Sequence, residues 1–425
     1  MNVTGIIAEY NPFHNGHAYH LKEARRLTNA DYLVVVMSGN FVQRGEPAII
    51  HKYARARIAL AEGADLVLEL PFCYATGSAE FFAGGSIFLL NSLGCVDHLC
   101  FGSESSDLTA LMDAALILKE EPAPYQESLR QFLKAGDSFP LARSKALIRC
   151  GHASAASVLS EPNNTLGVEY LKAILQQKSR ISPVTIHRIG SGYHEKELSG
   201  TFCSATALRS AFTESLQDDG NSALFPDTAA RMMPEGSSSV LREAWNQTFP
   251  VVPKDLSVIL HYRLLMASSR EELSRCFDIP PDLARRIFRL RSSFTDFDSF
   301  AELVKTRNMT SLTVRRALLH ILLDLPSSEI PGNRSCPYAK VLGFRKEAAP
   351  LLKEIKEKGH LPLILKPADA PDILHSFYSS DEITQDLSLA MFERDILASR
   401  IYNSLVAARY RTQLPDDYRQ KLILM

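Results

Sequence analysis

Short apolar runs alternate with helical patterns along the first half of the chain. The runs are uniformly apolar, as in VVVM and LVLEL, which is typical of strands in a parallel sheet covered on both faces. The segments between them carry apolar residues at helical spacing, so the alternation predicts a doubly wound α/β sheet with right-handed crossovers. The predicted strands are residues 3–8, 32–37, 65–70, 98–101 and 184–189.

Two polar breaks divide the chain into three predicted regions. Residues 1–215 form the α/β domain, and residues 107–151 within it look wholly helical and are best interpreted as an insertion. A segment rich in Gly and Ser from Leu216 leads into a mostly helical region, residues 216–325. A second break precedes a small α/β unit, residues 326–425, with two short apolar runs and a long helix near 383–409.

The composition is that of a globular protein, with 46% hydrophobic and 22% charged residues. The N-terminal stretch lacks the basic and apolar order of a leader peptide, and no apolar run reaches the roughly 18 residues of a membrane helix. Seven cysteines, an odd number without a C-x-x-C pair, favour reduced thiols. We therefore expect a cytoplasmic protein with no membrane partner, and the pattern indicates no particular oligomeric state.

His14 and His17 lie three residues apart where the first predicted strand gives way to a helix. Both imidazoles can therefore reach one ligand. Backbone N–H groups point outward at such a position and the helix dipole favours an anion, so the stretch HNGH predicts a phosphate site. In this interpretation Gly16 permits close approach of the phosphate, and the imidazoles stabilise the charge that develops when pyrophosphate leaves.

Two other interpretations of the histidine pair remain open. A zinc site would need a third ligand, and the stretch lacks the H-E-x-x-H spacing of a catalytic zinc helix, so we expect no metal site. Two histidines without a chemical role are the other alternative.

The stretch SATALR, near the end of the first region, has hydroxyl residues at the start of a predicted helix and an arginine one turn later. Ser204 and Thr206 can cap the helix, and Arg209 can pair with a leaving phosphate. An ordinary capped helix would explain the stretch equally well if it stood alone. Its occurrence after HNGH favours a shared phosphate site.

HNGH between a strand and a helix, followed by SATALR, resembles the two signatures of the H-x-G-H nucleotidyltransferase superfamily, although Ala205 stands where many members have a hydroxyl. The resemblance extends to one family, the bacterial tRNA(Met) cytidine acetate ligases. It rests on the stretches EYNPFHNGH, MSGNFVQRGEPA, LELPF, FGSES, NNTLGVEYL and HRIGSGYH, and more loosely on KTRNMTSLTVRRALLHILL.

This resemblance implies a Rossmann-like nucleotidyltransferase domain followed by a mostly helical region. It also implies an activity: acetate is activated with ATP as acetyl-adenylate, and the acetyl group is transferred to N4 of the wobble cytidine of elongator tRNA(Met). The product would be N4-acetylcytidine. ATP would be the co-substrate, Mg²⁺ is expected with it, and tRNA(Met) and acetate would be the partners.

The resemblance also implies a set of site residues, with His14 and His17 as the catalytic pair. From the residues alone, Gly102 could equally be a turn glycine, one of two adjacent asparagines a helix N-cap, and Arg188 a solvated arginine at the end of a strand. The implied ATP-binding residues are Ile7, Ala8, Glu9, Tyr10, Asn11, Pro12, Phe13, His14, Asn15, Gly16, His17, Ala18, Tyr19, His20, Gly102, Asn163, Asn164, Arg188, Ser204, Thr206 and Arg209.

A tRNA substrate requires a basic surface, because phosphate contacts dominate the affinity for nucleic acids. The net charge of −1 excludes a generally basic protein, but residues 285–316 carry eight basic against three acidic side chains. A solvated amphipathic helix explains part of this segment about as well. The candidate tRNA-binding residues are Lys52, Arg55, Arg285, Arg286, Arg289, Arg307, Arg315 and Arg316.

Two other functions fit parts of the pattern. A small-molecule adenylyltransferase acting on a phosphorylated coenzyme precursor would share the H-x-G-H core, but it would not need the further helical residues with their arginines. A non-catalytic RNA-binding protein is opposed by the intact His14, His17, Ser204 and Arg209. The chain contains no P-loop sequence.

Overall fold

The computed structural model describes residues 1–188, 202–216, 224–331 and 335–425, and all structural statements refer to these residues. The end of the predicted strand 184–189, most of HRIGSGYH and parts of the two polar breaks lie outside the described residues. The described strands are β1 (Val3–Ala8), β2 (Tyr32–Ser38), β3 (Phe41–Val42), β4 (Glu46–Pro47), β5 (Leu66–Leu70), β6 (His98–Ser103), β7 (Ser182–His187), β8 (Ala339–Phe344), β9 (Leu363–Ile364) and β10 (Ile423–Leu424).

The main sheet has the strand order β10-β8-β5-β2-β1-β6-β7, with β9 beside β8, whereas β3 and β4 form a separate hairpin. The strands from β5 to β7 in this order are parallel to one another, and Val3 of β1 lies opposite Tyr32 of β2. The predicted parallel sheet is confirmed, and its strands lie where the apolar runs placed them, within two residues at their first residue.

Helices pack on both faces of this sheet. The helices up to residue 216 are α1 (Asn15–Thr28), α2 (Lys52–Ala61), α3 (Phe72–Ala75), α4 (Ala79–Ser92), α5 (Leu108–Glu120), α6 (Ala123–Lys134), α7 (Phe139–Arg149), α8 (Ala153–Val158), α9 (Pro162–Gln176) and α10 (Ala205–Glu214). Successive residues of β2 belong to the apolar clusters on opposite faces of the sheet. Val34 lies in the same cluster as Leu90 of α4, and Val35 lies in the same cluster as Leu21 of α1. This is why the strand is apolar on both faces.

The order of the strands reverses at β1. Strands β2 and β5 lie on one side of it, and β6 and β7 lie on the other. Ligands of open α/β sheets bind outside the carboxyl ends of the strands at such a switch point. The topology therefore directs attention to the loop after β1 and to the ends of β6 and β7.

The region after residue 224 is helical, as predicted, and it shares the apolar core of the sheet. Leu260 and Leu318 belong to the same cluster as Val34. Phe249 packs in another cluster with Ile50 of the first region, so both clusters join this region to the first. Its helices are α11 (Asp227–Ala230), α12 (Glu235–Ala244), α13 (Ser257–Met266), α14 (Arg270–Ser274), α15 (Pro281–Leu290), α16 (Phe297–Val304), α17 (Ser311–Leu322), α18 (Ala349–Lys358), α19 (Ala370–Phe377) and α20 (Glu382–Tyr410).

The last strands do not form a sheet of their own. The run AKVLGF is β8, which pairs antiparallel with β5 and places Leu68 opposite Val341. The run LPLILK supplies β9, which pairs with β8. The sequence shows two strands after residue 326 but not their partners, because an apolar strand of six residues can complete either a new sheet or an existing edge. The boundary near 326 therefore does not separate two sheets.

A buried cluster of charges joins α2, β5, β8 and the segment after α20. The ammonium of Lys52 lies 2.8 Å from Glu69 Oε1 and 2.6 Å from Asp417 Oδ2. Lys340 reaches the same two carboxylates at 2.9 and 2.7 Å, and Ser399 Oγ accepts from Lys52 at 2.7 Å. Both lysine side chains are inaccessible to solvent. Two cations and two anions thus compensate one another inside the protein.

Candidate functional site

The loop after β1 delivers two histidines to the first turn of α1. His14 is the N-cap residue, in an extended conformation, and its Nδ1 accepts a hydrogen bond from the Gly16 N–H at 3.1 Å. The His17 Nδ1 in turn accepts from the His14 N–H at 3.2 Å. This is a capping box in which both side chains are imidazoles. The two rings stack with centroids 3.8 Å apart.

These two hydrogen bonds fix the tautomer of each ring. A nitrogen that accepts from a backbone N–H carries no proton, so Nδ1 is unprotonated in both His14 and His17. The proton of each neutral ring is therefore on Nε2. Within the described part of the chain no hydrogen bond uses Nε2 of either ring, so the site presents two N–H donors close together at a helix N-terminus.

The histidines of this loop are neutral at physiological pH. Burial lowers the pKa of His14 to about 3, and the nearby charges of Arg188 and Arg209 act in the same direction. Burial lowers the pKa of His17 well below its usual value, and that of His20 to about 4. The imidazoles therefore act as hydrogen-bond donors, and the positive charge of the site comes from the arginines.

Packing holds the histidine rings in place. The ring of Tyr10 lies 4.7 Å from Phe13 and 4.9 Å from His17, and Phe13 lies 5.4 Å from His17, all between centroids. A Cβ at Gly16 would lie 2.9 Å from the His14 Cε1. Gly16 is thus required by the His14 ring itself, a reason that the sequence interpretation, based on phosphate approach, did not include.

Helix α10 brings the second signature to the same loop. Ser204 is its N-cap residue, and the Ser204 Oγ accepts from the Ala207 N–H at 3.1 Å. Arg209 donates from Nη1 to the Asn11 carbonyl at 2.8 Å and from Nη2 to the Thr206 Oγ1 at 3.2 Å. The predicted cap is confirmed for Ser204 but not for Thr206, which lies within the helix and accepts from Arg209 instead. Arg209 contacts the loop that carries His14.

Gly102, Asn163 and Arg188 come together at the ends of β6 and β7. The Arg188 Nη1 donates to the Asn163 Oδ1 at 3.1 Å, and the Asn163 Nδ2 donates to the Glu104 Oε1 at 2.5 Å. A Cβ at Gly102 would lie 3.0 Å from the Arg188 Cγ, so the glycine makes room for the arginine. Three predicted residues distant in sequence thus share one edge of the sheet.

The two adjacent asparagines have different surroundings. The Asn164 side chain is buried, and its Oδ1 accepts from the backbone N–H groups of Glu104 and Ser105 at 2.9 and 3.2 Å. It positions the loop after β6. The interpretation of one asparagine as an N-cap is wrong, because α9 begins at Pro162 and its N-cap residue is Glu161. Asn163 is the one that contacts Arg188.

Two carboxylates that organise the site were not predicted. Glu104 binds the first turn of α9, accepting from the Asn164 N–H at 2.8 Å. Glu46 lies 3.3 Å from the Arg209 Nε and 3.8 Å from the Arg315 Nη1, between α10 and α17. Glu104 lies in FGSES and Glu46 lies in MSGNFVQRGEPA, two of the stretches on which the family resemblance rests. That resemblance was the only feature of the sequence that could have indicated a role for them.

Three of the candidate tRNA-binding residues are buried, and the prediction for them is wrong. Lys52 belongs to the buried charge cluster. The Arg55 guanidinium donates hydrogen bonds to backbone carbonyls, including those of Glu9 at 2.6 Å and Ser38 at 3.1 Å. Arg316 is 8% exposed. A charge run reveals residue type but not which side of a helix packs inward, so the sequence could not separate these residues from surface ones.

The remaining candidates divide into two groups. Arg286 donates to the carbonyls of Leu303 and Val304 at the end of α16, and Arg315 pairs with Asp298 at 2.5 Å. Both therefore have structural partners. Arg285, Arg289 and Arg307 are exposed and stay candidates for RNA contacts.

The parallel sheet, the switch point at β1 and the two signatures at its edge define a nucleotidyltransferase. The model of the family described as HIGH Nucleotidyl Transferase matches residues 1–417. Two curated relatives are named tRNA(Met) cytidine acetate ligase. That of Acetivibrio thermocellus is 37% identical over the whole of both chains, and that of Caldanaerobacter subterraneus is 40% identical over 95% of each.

A solved structure, Thermotoga maritima TmcAL bound with alpha-thio ATP, superposes with a TM-score of 0.90 at 32% identity, and each chain is covered completely. The chain belongs to the family of tRNA(Met) cytidine acetate ligases. Among the described residues no three His, Cys, Asp or Glu side chains come together as a metal site. No helix in the described ranges is both long and apolar enough to cross a membrane.

Proposed function

We propose that this protein is an ATP-dependent ligase that converts the wobble cytidine of elongator tRNA(Met) to N4-acetylcytidine, using acetate and releasing AMP and pyrophosphate. Full-length similarity to relatives named for this activity carries the proposal. It also favours the ligase over a small-molecule adenylyltransferase, because none of those names refers to a coenzyme precursor.

In the first step acetate attacks the α-phosphorus of ATP. A bond forms between the acetate oxygen and phosphorus, and the bond to the β-phosphate oxygen breaks, giving acetyl-adenylate and pyrophosphate. The Nε2–H groups of His14 and His17 are donors for the phosphoryl oxygens, and Arg209 and Arg188 supply positive charge. Donors already fixed in the resting enzyme need no reorganisation when charge develops, which is the main advantage of such a site.

In the second step the exocyclic amine of cytidine attacks the acetyl carbon. The new bond joins N4 to this carbon, the bond from the carbon to the AMP oxygen breaks, and the amine loses a proton. Because the amine is a weak nucleophile, positioning it against the anhydride supplies much of the rate. Water would hydrolyse the anhydride, so the RNA must arrive at a site that excludes water.

The nucleotide lies, in this proposal, across the carboxyl ends of β1, β6 and β7. The loop from Ile7 to His20, with Gly102, Asn163 and Arg188, contacts it, and Ser204, Thr206 and Arg209 bind the phosphates. Asn164 contributes by holding the loop after β6. Mg²⁺ would enter with ATP and be held mainly by phosphate oxygens, as this ion commonly is. The proposed reaction is cytoplasmic, and all seven cysteines are free thiols.

The test is direct. The purified protein is incubated with ATP, labelled acetate and total tRNA, and the RNA is digested to nucleosides. We expect label in N4-acetylcytidine, and none without ATP. His17→Ala should lower the rate by about 10²- to 10³-fold through loss of a phosphate donor, whereas the matched change of the exposed His375→Ala should not. ATP turnover with another acceptor, and no labelled nucleoside, would contradict the proposal.

A further inference from the structure

A groove of about 1020 Å³ opens beside Arg209, away from the ends of β6 and β7. One wall is α10, with Arg209 and Thr213, and another is the β3–β4 hairpin, with Glu46. Val258 at the start of α13 and Ala408 near the end of α20 complete it. The groove thus lies where the sheet domain, the helical region and the last long helix meet.

Arg209 and Thr206 connect the groove with the phosphate site. Arg209 donates to the Asn11 carbonyl, in the loop before His14, and its Nε lies 3.3 Å from Glu46, on the wall of the groove. Thr206, which accepts from Arg209, also lines the groove. A molecule in the groove would therefore approach the reaction centre from the side of the β3–β4 hairpin.

Of the residues proposed for ATP, Thr206 and Arg209 line the groove, whereas Gly102, Asn163 and Arg188 lie on the other side of β1. Gly102 lies near the end of β6 and Arg188 follows β7, whereas the β3–β4 hairpin follows β2, and β2 and β6 flank β1 on opposite sides. ATP and a second substrate could therefore occupy the two sides of the loop that carries His14 at the same time. A two-substrate transfer requires this arrangement.

The charges of the groove suit a base and its ribose better than a chain of phosphates. Three of its four acidic side chains are paired with arginines. Glu46 lies 3.3 Å from Arg209, Asp255 lies 2.6 Å from Arg409, and Asp298 lies 2.5 Å from Arg315. The cations are therefore largely compensated within the groove. Lys254 is an exposed cation that lines it, where phosphates flanking an inserted nucleotide would lie.

The groove continues onto an exposed face of α13. Val258, Tyr262, Leu265 and Met266 follow one another at helical spacing and are 81%, 67%, 55% and 61% exposed. Apolar side chains so exposed along one helix face indicate a surface that another molecule covers. Tyr262 offers an aromatic ring on which an unpaired base can stack, the usual way in which single-stranded RNA is bound.

We propose that this groove receives the acceptor cytidine of the anticodon loop, unstacked from its neighbours, and that Tyr262 stacks on an adjacent base. The inference rests on the proposed function and names the path of its RNA substrate. The wobble nucleotide enters between Glu46, Val258 and Ala408 and presents its amine to the acetyl group beside Arg209. The flanking phosphates stay at the opening near Lys254.

Filling the groove tests this path. Ala408 is exposed, so Ala408→Trp should fold normally while occupying the space of the nucleotide. We expect acetate-dependent exchange of pyrophosphate into ATP to stay within about twofold of wild type, and tRNA acetylation to fall by about tenfold or more. Ser404→Trp, one turn earlier on α20, exposed and outside the groove, is the matched control and should change neither rate.

Substitution of Tyr262 tests the stacking separately. Loss of one base–aromatic contact corresponds to an increase of about five- to hundredfold in KM for tRNA, which we expect for Tyr262→Ala. Tyr262→Phe retains the ring and should restore the wild-type KM. Neither variant should alter the KM for ATP.

The outcomes separate the two proposals. If the wild-type enzyme forms no N4-acetylcytidine, the proposed function fails. If it does so and Ala408→Trp acetylates tRNA normally, the groove is not the path. Equal loss of pyrophosphate exchange and of acetylation in Ala408→Trp would identify the groove as an exit for pyrophosphate, and would also overturn the inference.

Discussion

His14 and His17 cap a helix with imidazole rings, a task that serine, aspartate or glutamate usually performs. The choice has a chemical consequence. A carboxylate at this position would repel a phosphate, whereas a neutral imidazole accepts from the helix through Nδ1 and leaves Nε2–H to donate to an anion. The imidazole ring can thus accept a hydrogen bond from the backbone and donate one to the ligand at the same time.

The sequence was sufficient to single out this pair but not its protonation. Spacing and position predicted two imidazoles facing one ligand. Burial lowers the pKa of both rings, with Arg188 acting on both and Arg209 on His14, and these arginines are 171 or more residues away and are brought near only by the fold. The same limit applies to Glu104 and Glu46, whose roles depend on partners from other elements.

Buried histidines make the fold sensitive to acid. Burial lowers the pKa of His14 to about 3 and those of His20, His51 and His320 to about 4, and it also lowers that of His17. Above about pH 6.5 these histidines are neutral in both the folded and the unfolded chain, so their protonation does not lower the free energy of unfolding. Below that value the histidines of the unfolded chain bind protons, whereas those of the folded chain bind them only at about pH 4 or lower. The free energy of unfolding therefore falls.

The free energy of unfolding should therefore decrease between about pH 6.5 and 5, by up to about 1.4 kcal/mol per pH unit for each histidine. Asp395 acts in the opposite sense, because burial and then Glu69 raise its pKa to about 7. Burial also raises the pKa values of Glu9, Glu62, Asp278 and Asp298, and the five histidines act together against these carboxyl groups. Urea unfolding at about pH 7.5, 6 and 5 measures the slope. Equal stability at all three values would contradict the prediction.

Among the elements, α10 connects stability to the phosphate site most directly. The Ser204 Oγ caps its first turn, and Arg209 lies one turn further on. Ser204→Ala should lower the free energy of unfolding by about 1 kcal/mol, the usual cost of losing an N-cap. Urea unfolding measures this, and the KM for ATP should rise because the helix then frays where Arg209 is anchored.

Ser138 offers a matched control for this change. It is the N-cap residue of α7, but its side chain makes no capping hydrogen bond. Ser138→Ala should therefore leave the free energy of unfolding within about 0.5 kcal/mol of wild type. If both substitutions had the same effect, the capping bond of Ser204 would not be the cause.

Hydrophobic periodicity predicted the long helices and strands correctly, but it did not predict the short elements. The five strands of the parallel sheet and the cap of α10 follow from the pattern of residues. Strands β3 and β4 have two residues each, too few to show alternation, and α9 begins before the asparagines because Pro162 fits its first turn. Short elements are determined by their tertiary contacts.

For the whole molecule, the buried charge cluster links residues that are far apart in the chain. Lys52→Met would remove one cation and leave Glu69 and Asp417 sharing Lys340 alone. An uncompensated buried charge costs about 3–5 kcal/mol, so we expect a loss of that size in the free energy of unfolding. Urea unfolding again provides the measurement.

Arg57→Met is the control on the same helix. Arg57 is 56% exposed and lies 3.8 Å from Glu243, a surface pair whose loss should cost less than about 1 kcal/mol. A small effect for both substitutions would show that the cluster does not hold the parts of the chain together.

This cluster also explains why the third region was the hardest to predict. The apolar runs after residue 326 identified strands, but pairing between β5 and β8 depends on residues about 270 positions apart, and Lys52 looked like a surface cation. A buried ion pair has no local signature, because each of its members is an ordinary polar residue in its own segment.

The partnership of Lys52 with Asp417 has a consequence for the order in which the chain is made. The two residues are 365 positions apart, and a ribosome adding about 5–20 residues per second needs roughly 20 to 70 seconds to synthesise the stretch between them. During that time Lys52 can pair with Glu69 but not with Asp417, and β5 lacks its neighbour β8 until residues 339–344 have been made. The half of the enzyme that is translated first is thus completed only after the last long helix has emerged.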